Sequence, residues 1–102
     1  MMQFRVKDEG GQVQVSLEGQ LNFAANEDFR QLLSQLAGMK NKTVIFEMAG
    51  LSHIDSVGLG LLYIAGEDMA EAGSSIVLAH PRDNVFRMLE LTEAHKTFEV
   101  RR

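Results

Sequence analysis

The stretch TVIFEMAGLSHIDSVGLGLL, residues 43–62, decides the fold. Its first part, Thr43 to Met48, is a run of β-branched, aromatic and long apolar residues rather than an alternation, which reads as a central strand buried on both faces. Ala49-Gly50 reads as a turn, and Leu51 to Asp55 as the approach to a helix. From Ser56 to Ala72, Leu61, Leu62, Ala65, Met69 and Ala72 keep helical spacing. Gly58, Gly60 and Gly66 fall inside that helix, each at a cost of about 1 kcal/mol relative to alanine, so close packing against the sheet or a partner is expected to compensate.

Upstream, Gln3 to Lys7 and Gln12 to Glu18 alternate apolar and polar residues, the period-two pattern of half-buried strands. Glu9-Gly10-Gly11 between them tolerates positive φ and predicts a hairpin, with Gly19 ending the second strand. Phe29, Leu32, Leu33 and Leu36 then recur at helical spacing over Asn26 to Ala37, with Asn26 as the expected N-cap and Gly38 as the residue just past the end. Downstream, Gly73-Ser74 ends the second helix and Ser75 to Ala79 is an apolar strand. Pro81 stands where a third helix carrying Val85, Met88, Leu89 and Leu91 can begin, and Thr97 to Val100 is the last strand. The resulting β-β-α-β-α-β-α-β order implies an α/β domain with a mixed sheet of four to five strands and about three helices.

At 102 residues, the chain has room for one domain and one modest core. Cysteine is absent, so no disulfide contributes, and ten basic against fourteen acidic residues give a formal charge of −4, which disfavours nucleic acid as a partner. The polar, acid-containing segment Met1 to Gly11 lacks the apolar run of a signal peptide, and the longest mainly apolar stretch, Leu59 to Ala65, is far short of a membrane span. A cytoplasmic protein without direct membrane insertion is the expectation.

Catalytic and metal signatures fail in turn. His53, His80 and His95 are isolated, with no second histidine or carboxylate at helical ligand spacing, so neither a metal nor any other cofactor is expected. A nucleophile elbow needs glycine two positions before and after its serine; Gly58 satisfies one side of Ser56, but Ile54 occupies the other. No phosphate-cradling P-loop is present, and Gly58-Leu59-Gly60 alone does not define a dinucleotide site. Glu27-Asp28 and Glu67-Asp68 are adjacent on helices and therefore diverge. An enzyme is not expected.

What remains is Asp55-Ser56 at the loop-to-helix junction. Either residue serves as an N-cap. A serine there is also exposed, and a helix N-terminus favours a phosphate by about 0.3–1 kcal/mol, so the same position can be a cap and a modification site.

The run from Val44 to Leu62, with Asp55-Ser56-Val57-Gly58-Leu59-Gly60 at its heart, resembles the signature of the STAS family: a buried strand, a short loop, then Asp-Ser-(Ser/Thr)-Gly-Leu-Gly. Leu17-Glu-Gly-Gln-Leu21 is similar to that family's Leu-x-Gly-x-Leu strand end, and Val85-Phe-Arg-Met-Leu89 also fits. The resemblance covers almost the whole chain and implies a single STAS domain over residues 1–102. For the anti-sigma factor antagonists of the family, it implies a partner-switching role. On that resemblance Ser56 is expected to be phosphorylated by an anti-sigma factor that is a serine kinase of the histidine-kinase-like ATPase fold, with phosphorylation releasing that partner and a PP2C-type phosphatase resetting the switch.

Three departures from the family pattern stand out. Asn22 replaces an aspartate, Val57 replaces a second hydroxyl, and the sequence given stops at Arg102 without the C-terminal helix typical of the sporulation and stress-response antagonists. The last of these motivates the alternative of a STAS subunit in diguanylate cyclase regulation or in a lipid ABC transporter. The expected partner surface comprises Asn22 and Phe23, Asp55, and an apolar centre of Val57, Gly58 and Leu59, so that Gly58→Trp is expected to block binding while sparing the fold.

Overall fold

The computed structural model describes residues 2–102; Met1, the first residue of the segment read for a leader, lies outside them. Strands β1 (Met2–Asp8) and β2 (Gln12–Leu21) form the predicted antiparallel hairpin. Gly10 takes φ +85° in its turn, and the Glu9 N–H donates to Gln12 O at 2.8 Å. A 3₁₀ turn (Phe23–Ala25) leads into α1 (Asn26–Leu36), followed by β3 (Thr43–Ile54), α2 (Ser56–Glu71), β4 (Ser75–Ala79), α3 (Asp83–Leu91), a second 3₁₀ turn (Ala94–Lys96) and β5 (Glu99–Arg101). The five strands form one mixed sheet in sequence order, β1-β2-β3-β4-β5, with β2 to β5 parallel.

Each parallel connection is a helical crossover to the next strand, so a uniform right-handed sense puts α1, α2 and α3 on one face. The main core follows that geometry. Val13, Val15 and Leu17 of β2, Val44, Phe46 and Met48 of β3, and Ile76 and Leu78 of β4 meet Phe29, Leu32 and Leu36 of α1, Leu62, Ala65 and Met69 of α2, and Val85 and Leu89 of α3. Phe29 and Phe46 meet edge to face, centroids 6.3 Å apart. Residues of opposite parity, Ile45, Val77 and Ala79, form a separate buried island on the far face. Beside it Glu47 Oε2 and His80 Nδ1 lie 2.8 Å apart, and Arg101 Nε donates to Glu99 Oε2 at 2.5 Å.

Several local expectations change. Gly19 does not end β2; with φ +96° it sits at a register shift, and the strand continues to Leu21. Ala49-Gly50 is not a turn but part of β3 beside a second register shift, where a Cβ on Gly50 would lie 2.8 Å from Leu17 O. Both bulges keep β2 and β3 paired as far as Leu21 and Ile54. Asn26 is helical and Ala25 is the N-cap of α1, because the 3₁₀ turn already winds the chain. Gly38 takes the expected positive φ, +87°. Helix α3 is capped at Arg82, past Pro81, and Leu91 points to solvent at 72% exposure instead of joining the core. The last strand begins at Glu99, two residues later than its pattern predicts, because Ala94–Lys96 is wound as a 3₁₀ turn.

Candidate functional site

The paired ends of β2 and β3 deliver the two halves of the site. Leu21 pairs with Ile54, and the Asp55 N–H donates to Leu21 O at 3.3 Å. This fixes the chain leaving β3 beside the chain leaving β2. Asp55 is extended (φ −117°, ψ −174°), and its Oδ1 accepts the Gly58 N–H at 2.8 Å, the N-cap geometry of α2. Its carbonyl accepts the Leu59 N–H at 2.9 Å. Of the four leading N–H groups, those of Asp55 and Gly58 are thus bonded, to Leu21 O and Asp55 Oδ1, and those of Ser56 and Val57 have no partner among the described residues.

Gly58 explains how α2 can start this close to the sheet. A Cβ there would stand 2.0 Å from Leu21 O and 2.7 Å from Leu21 C, so only glycine fits under the backbone of β2. The expectation of close packing holds for this glycine. It holds also for Gly66, whose Cβ would meet Phe98 Cε1 at 2.9 Å, but not for Gly60, where a Cβ would meet nothing within 4 Å.

The side chains named from sequence divide into two groups. Ser56, the first residue of α2, is exposed, as are Val57 (42%) and Phe23 (74%), and the 3₁₀ turn bearing Phe23 packs against α2. Gly58 and Leu59 are buried, Leu59 at 8% exposure. They cannot form the apolar centre of a surface, because Gly58 abuts Leu21 and Leu59 belongs to the core. Gly58→Trp is accordingly a fold-breaking change and not a probe of binding. Asn22 is half-buried: its Nδ2 donates to Gln20 Oε1 at 3.2 Å, while its Oδ1 is enclosed without a partner among the described residues.

Among the described residues no imidazole or amine hydrogen-bonds to Ser56, and the neighbouring Asp55 carboxylate is engaged with the Gly58 amide. The arrangement can accept a group transferred to the hydroxyl from outside, and the free N–H groups beside it suit an anion there. Sequence spacing missed the 2.8 Å approach of His80 Nδ1 to Glu47 Oε2, which joins neighbouring strands and has no local signature. Surface grooves of about 520 Å³ beside Tyr63, Gly66 and Phe98 and of about 180 Å³ beside Phe86 and Arg102 lie away from Ser56.

The fold and this junction define a class: small α/β domains in which a central parallel strand hands over, through an aspartate cap, to a helix led by an exposed serine. The chain belongs to the STAS domain family, whose model matches residues 3–102. It is 22% identical over 92 residues to a STAS-domain containing protein of Pseudomonas aeruginosa, covering 90% of each chain. The structure of an anti-sigma factor antagonist from Mycobacterium paratuberculosis superposes with a TM-score of 0.81 at 22% identity, over 99% of this chain and 86% of that one. The Bacillus cell fate determinant SpoIIAA in its phosphorylated form gives 0.69 at 23% identity, over 96% and 90%. Among the described residues no helix is long and apolar enough to cross a membrane.

Proposed function

We propose that this protein is an anti-sigma factor antagonist whose affinity for its partner is set by phosphorylation of Ser56. The observation that carries the reading is the placement of an exposed serine hydroxyl as the first residue of an aspartate-capped helix, beside the exposed apolar side chains Phe23 and Val57. Unphosphorylated, the junction of α2 with the Asn22–Phe23 turn docks an anti-sigma factor that is itself a serine kinase of the histidine-kinase-like ATPase fold. Phosphorylation adds about −1.5 to −2 charges next to Asp55, and setting that dianion against a partner surface shaped for a neutral hydroxyl costs about 3 kcal/mol, roughly a hundredfold in affinity. A PP2C-type phosphatase restores the binding form. Asp55, Asn22, Phe23 and Val57 make the contact, while Gly58 and Leu59 hold α2 in place from below.

Affinity purification from the native cells, with mass spectrometry of Ser56 and of the co-purifying proteins, tests this. Phospho-Ser56 together with a kinase-type anti-sigma factor, lost from the Ser56→Glu protein, is the expected result. Asn22 in the place of the family's aspartate favours a second reading, a STAS subunit in diguanylate cyclase regulation or a lipid ABC transporter. Unmodified Ser56 with transporter or cyclase-system subunits in the same purification would establish that reading and overturn the first.

A further inference from the structure

Gly60 is the one glycine within α2 for which the fold gives no reason. A Cβ there would meet nothing within 4 Å, although glycine is disfavoured at an interior helical position. Its neighbours on the same helical face, three residues before and four after, are Val57 and Ile64, exposed by 42% and 49%. Phe23, exposed by 74%, sits on the 3₁₀ turn that packs against α2. These are three of the four large apolar side chains exposed among the described residues; the fourth, Leu91, lies on α3.

We infer that the Val57–Gly60–Ile64 face of α2 is a docking groove for an amphipathic α-helix of a partner protein, seated with its apolar seam over Gly60 and its Lys/Arg-bearing flanks toward the ends of α2. A helix is the occupant that fits. Glycine between two aliphatic ridges makes a notch into which another helix packs at short interaxial distance, and α2 offers no free strand edge for a β-type partner. Charge selects the flanks. Helix α2 contains no Lys or Arg and ends in exposed Glu67, Asp68 and Glu71, while exposed Glu27 and half-buried Asp28 lie in the first turn of α1 after Phe23, with Arg30 the only basic residue of that helix. The inference deepens the reading given above, on which it rests for what regulates contact, and extends the contact two turns beyond Ser56.

The test places a photoreactive benzoylphenylalanine at Ile64 of the full chain in native cells, with the same residue at Leu91 as control, and maps the crosslinked peptide by mass spectrometry. The expected result is an adduct at Ile64 but not at Leu91, within a helical segment bearing apolar residues at i, i+3, i+4 and i+7 and Lys or Arg on its flanks. Gly60→Leu should cut its yield by roughly tenfold, as loss of a well-packed contact does. Gly60→Ala guards against misfolding: it should melt at a higher temperature than the wild type and still lower the yield. Absence of an adduct, a yield indifferent to both Gly60 variants, an adduct between two copies of this chain, or capture of an acidic or extended segment would each overturn the inference. Ser56→Glu separates the two claims, since an adduct that persists in that variant leaves the groove standing and removes the phosphorylation switch.

Discussion

The Asp55 carboxylate accepts the Gly58 N–H at 2.8 Å while its own N–H donates to Leu21 O, so one residue starts α2 and ties it to the end of β2. Replacing it with alanine should cost about 1 kcal/mol in urea denaturation, and Asp55→Ser should cost much less, because a serine oxygen caps nearly as well. Equal losses in the two variants would show that the carboxylate acts through something other than the cap. The cap and the exposed serine were legible in the sequence because both are local. Burial of Gly58 and Leu59 was not, because it depends on Leu21, which lies nearly forty positions away in the chain and reaches α2 only through the pairing of β2 with β3. At the other end of the sheet, Asp8 is held below its ordinary value of 3.8, first by the Lys42 side chain and then by the Gly10 N–H. A carboxyl whose folded value is depressed adds stability that is present above its unfolded value and is lost as pH falls through the folded one. The melting-temperature gap between wild type and Asp8→Asn should therefore be constant above about pH 5 and close steadily below the ordinary carboxylate range. A gap that widened on acidification would contradict this assignment. Because the pair is partly exposed to solvent, the gap should also narrow in high salt.

Helix α2 carries three glycines in one continuous helix, and the structure assigns them three outcomes. Gly58→Ala forces a methyl group against the Leu21 carbonyl and should destabilise by about 1–3 kcal/mol or more, since backbone has to move. Gly66→Ala meets the edge of the Phe98 ring at 2.9 Å, so its cost depends on a rotation of that ring and should fall below that of Gly58→Ala. Gly60→Ala enters open space and should stabilise by up to about 1 kcal/mol. Chemical denaturation of the three variants checks the ranking, and a destabilising Gly60→Ala would mean that this glycine serves the fold after all. Periodicity located the helix but could not order its glycines, because a 3.6-residue repeat specifies a face and says nothing about how near the opposing backbone lies. The same limit hid the bulges at Gly19 and Gly50. Read locally, each glycine marks a turn; only the continued pairing of β2 with β3 shows that the strands run on, and that extra length is what brings Ser56 beside the Asn22–Phe23 turn.

Across the whole molecule, strand order equals sequence order and the three helices share one face, an arrangement that follows from the alternating strand and helix patterns once each crossover is right-handed. Its consequence is that β5, the shortest of the five strands, lies at one edge of the sheet. Residues Glu99–Arg101 pair only with Val77–Ala79, and the stability of this edge depends on Phe98. That ring is 4% exposed, packs against Tyr63 with centroids 5.2 Å apart, and fills the space over Gly66. Phe98→Ala should cost about 3–5 kcal/mol, a large fraction of the ~5–15 kcal/mol that holds a domain together. The loss should also be uneven. The His80 amide, which donates to Arg101 O at 2.7 Å, reports on detachment of β5, whereas the β2–β3 amides report on global unfolding. Hydrogen exchange of the variant should show protection at His80 falling further than protection at Val15 or Phe46 in the central strands. Equal falls would mean that β5 separates only when the whole sheet does. The uneven result would make β5 the least stable unit of the fold, at the edge of the sheet, while the Ser56 junction remains anchored to its central strands.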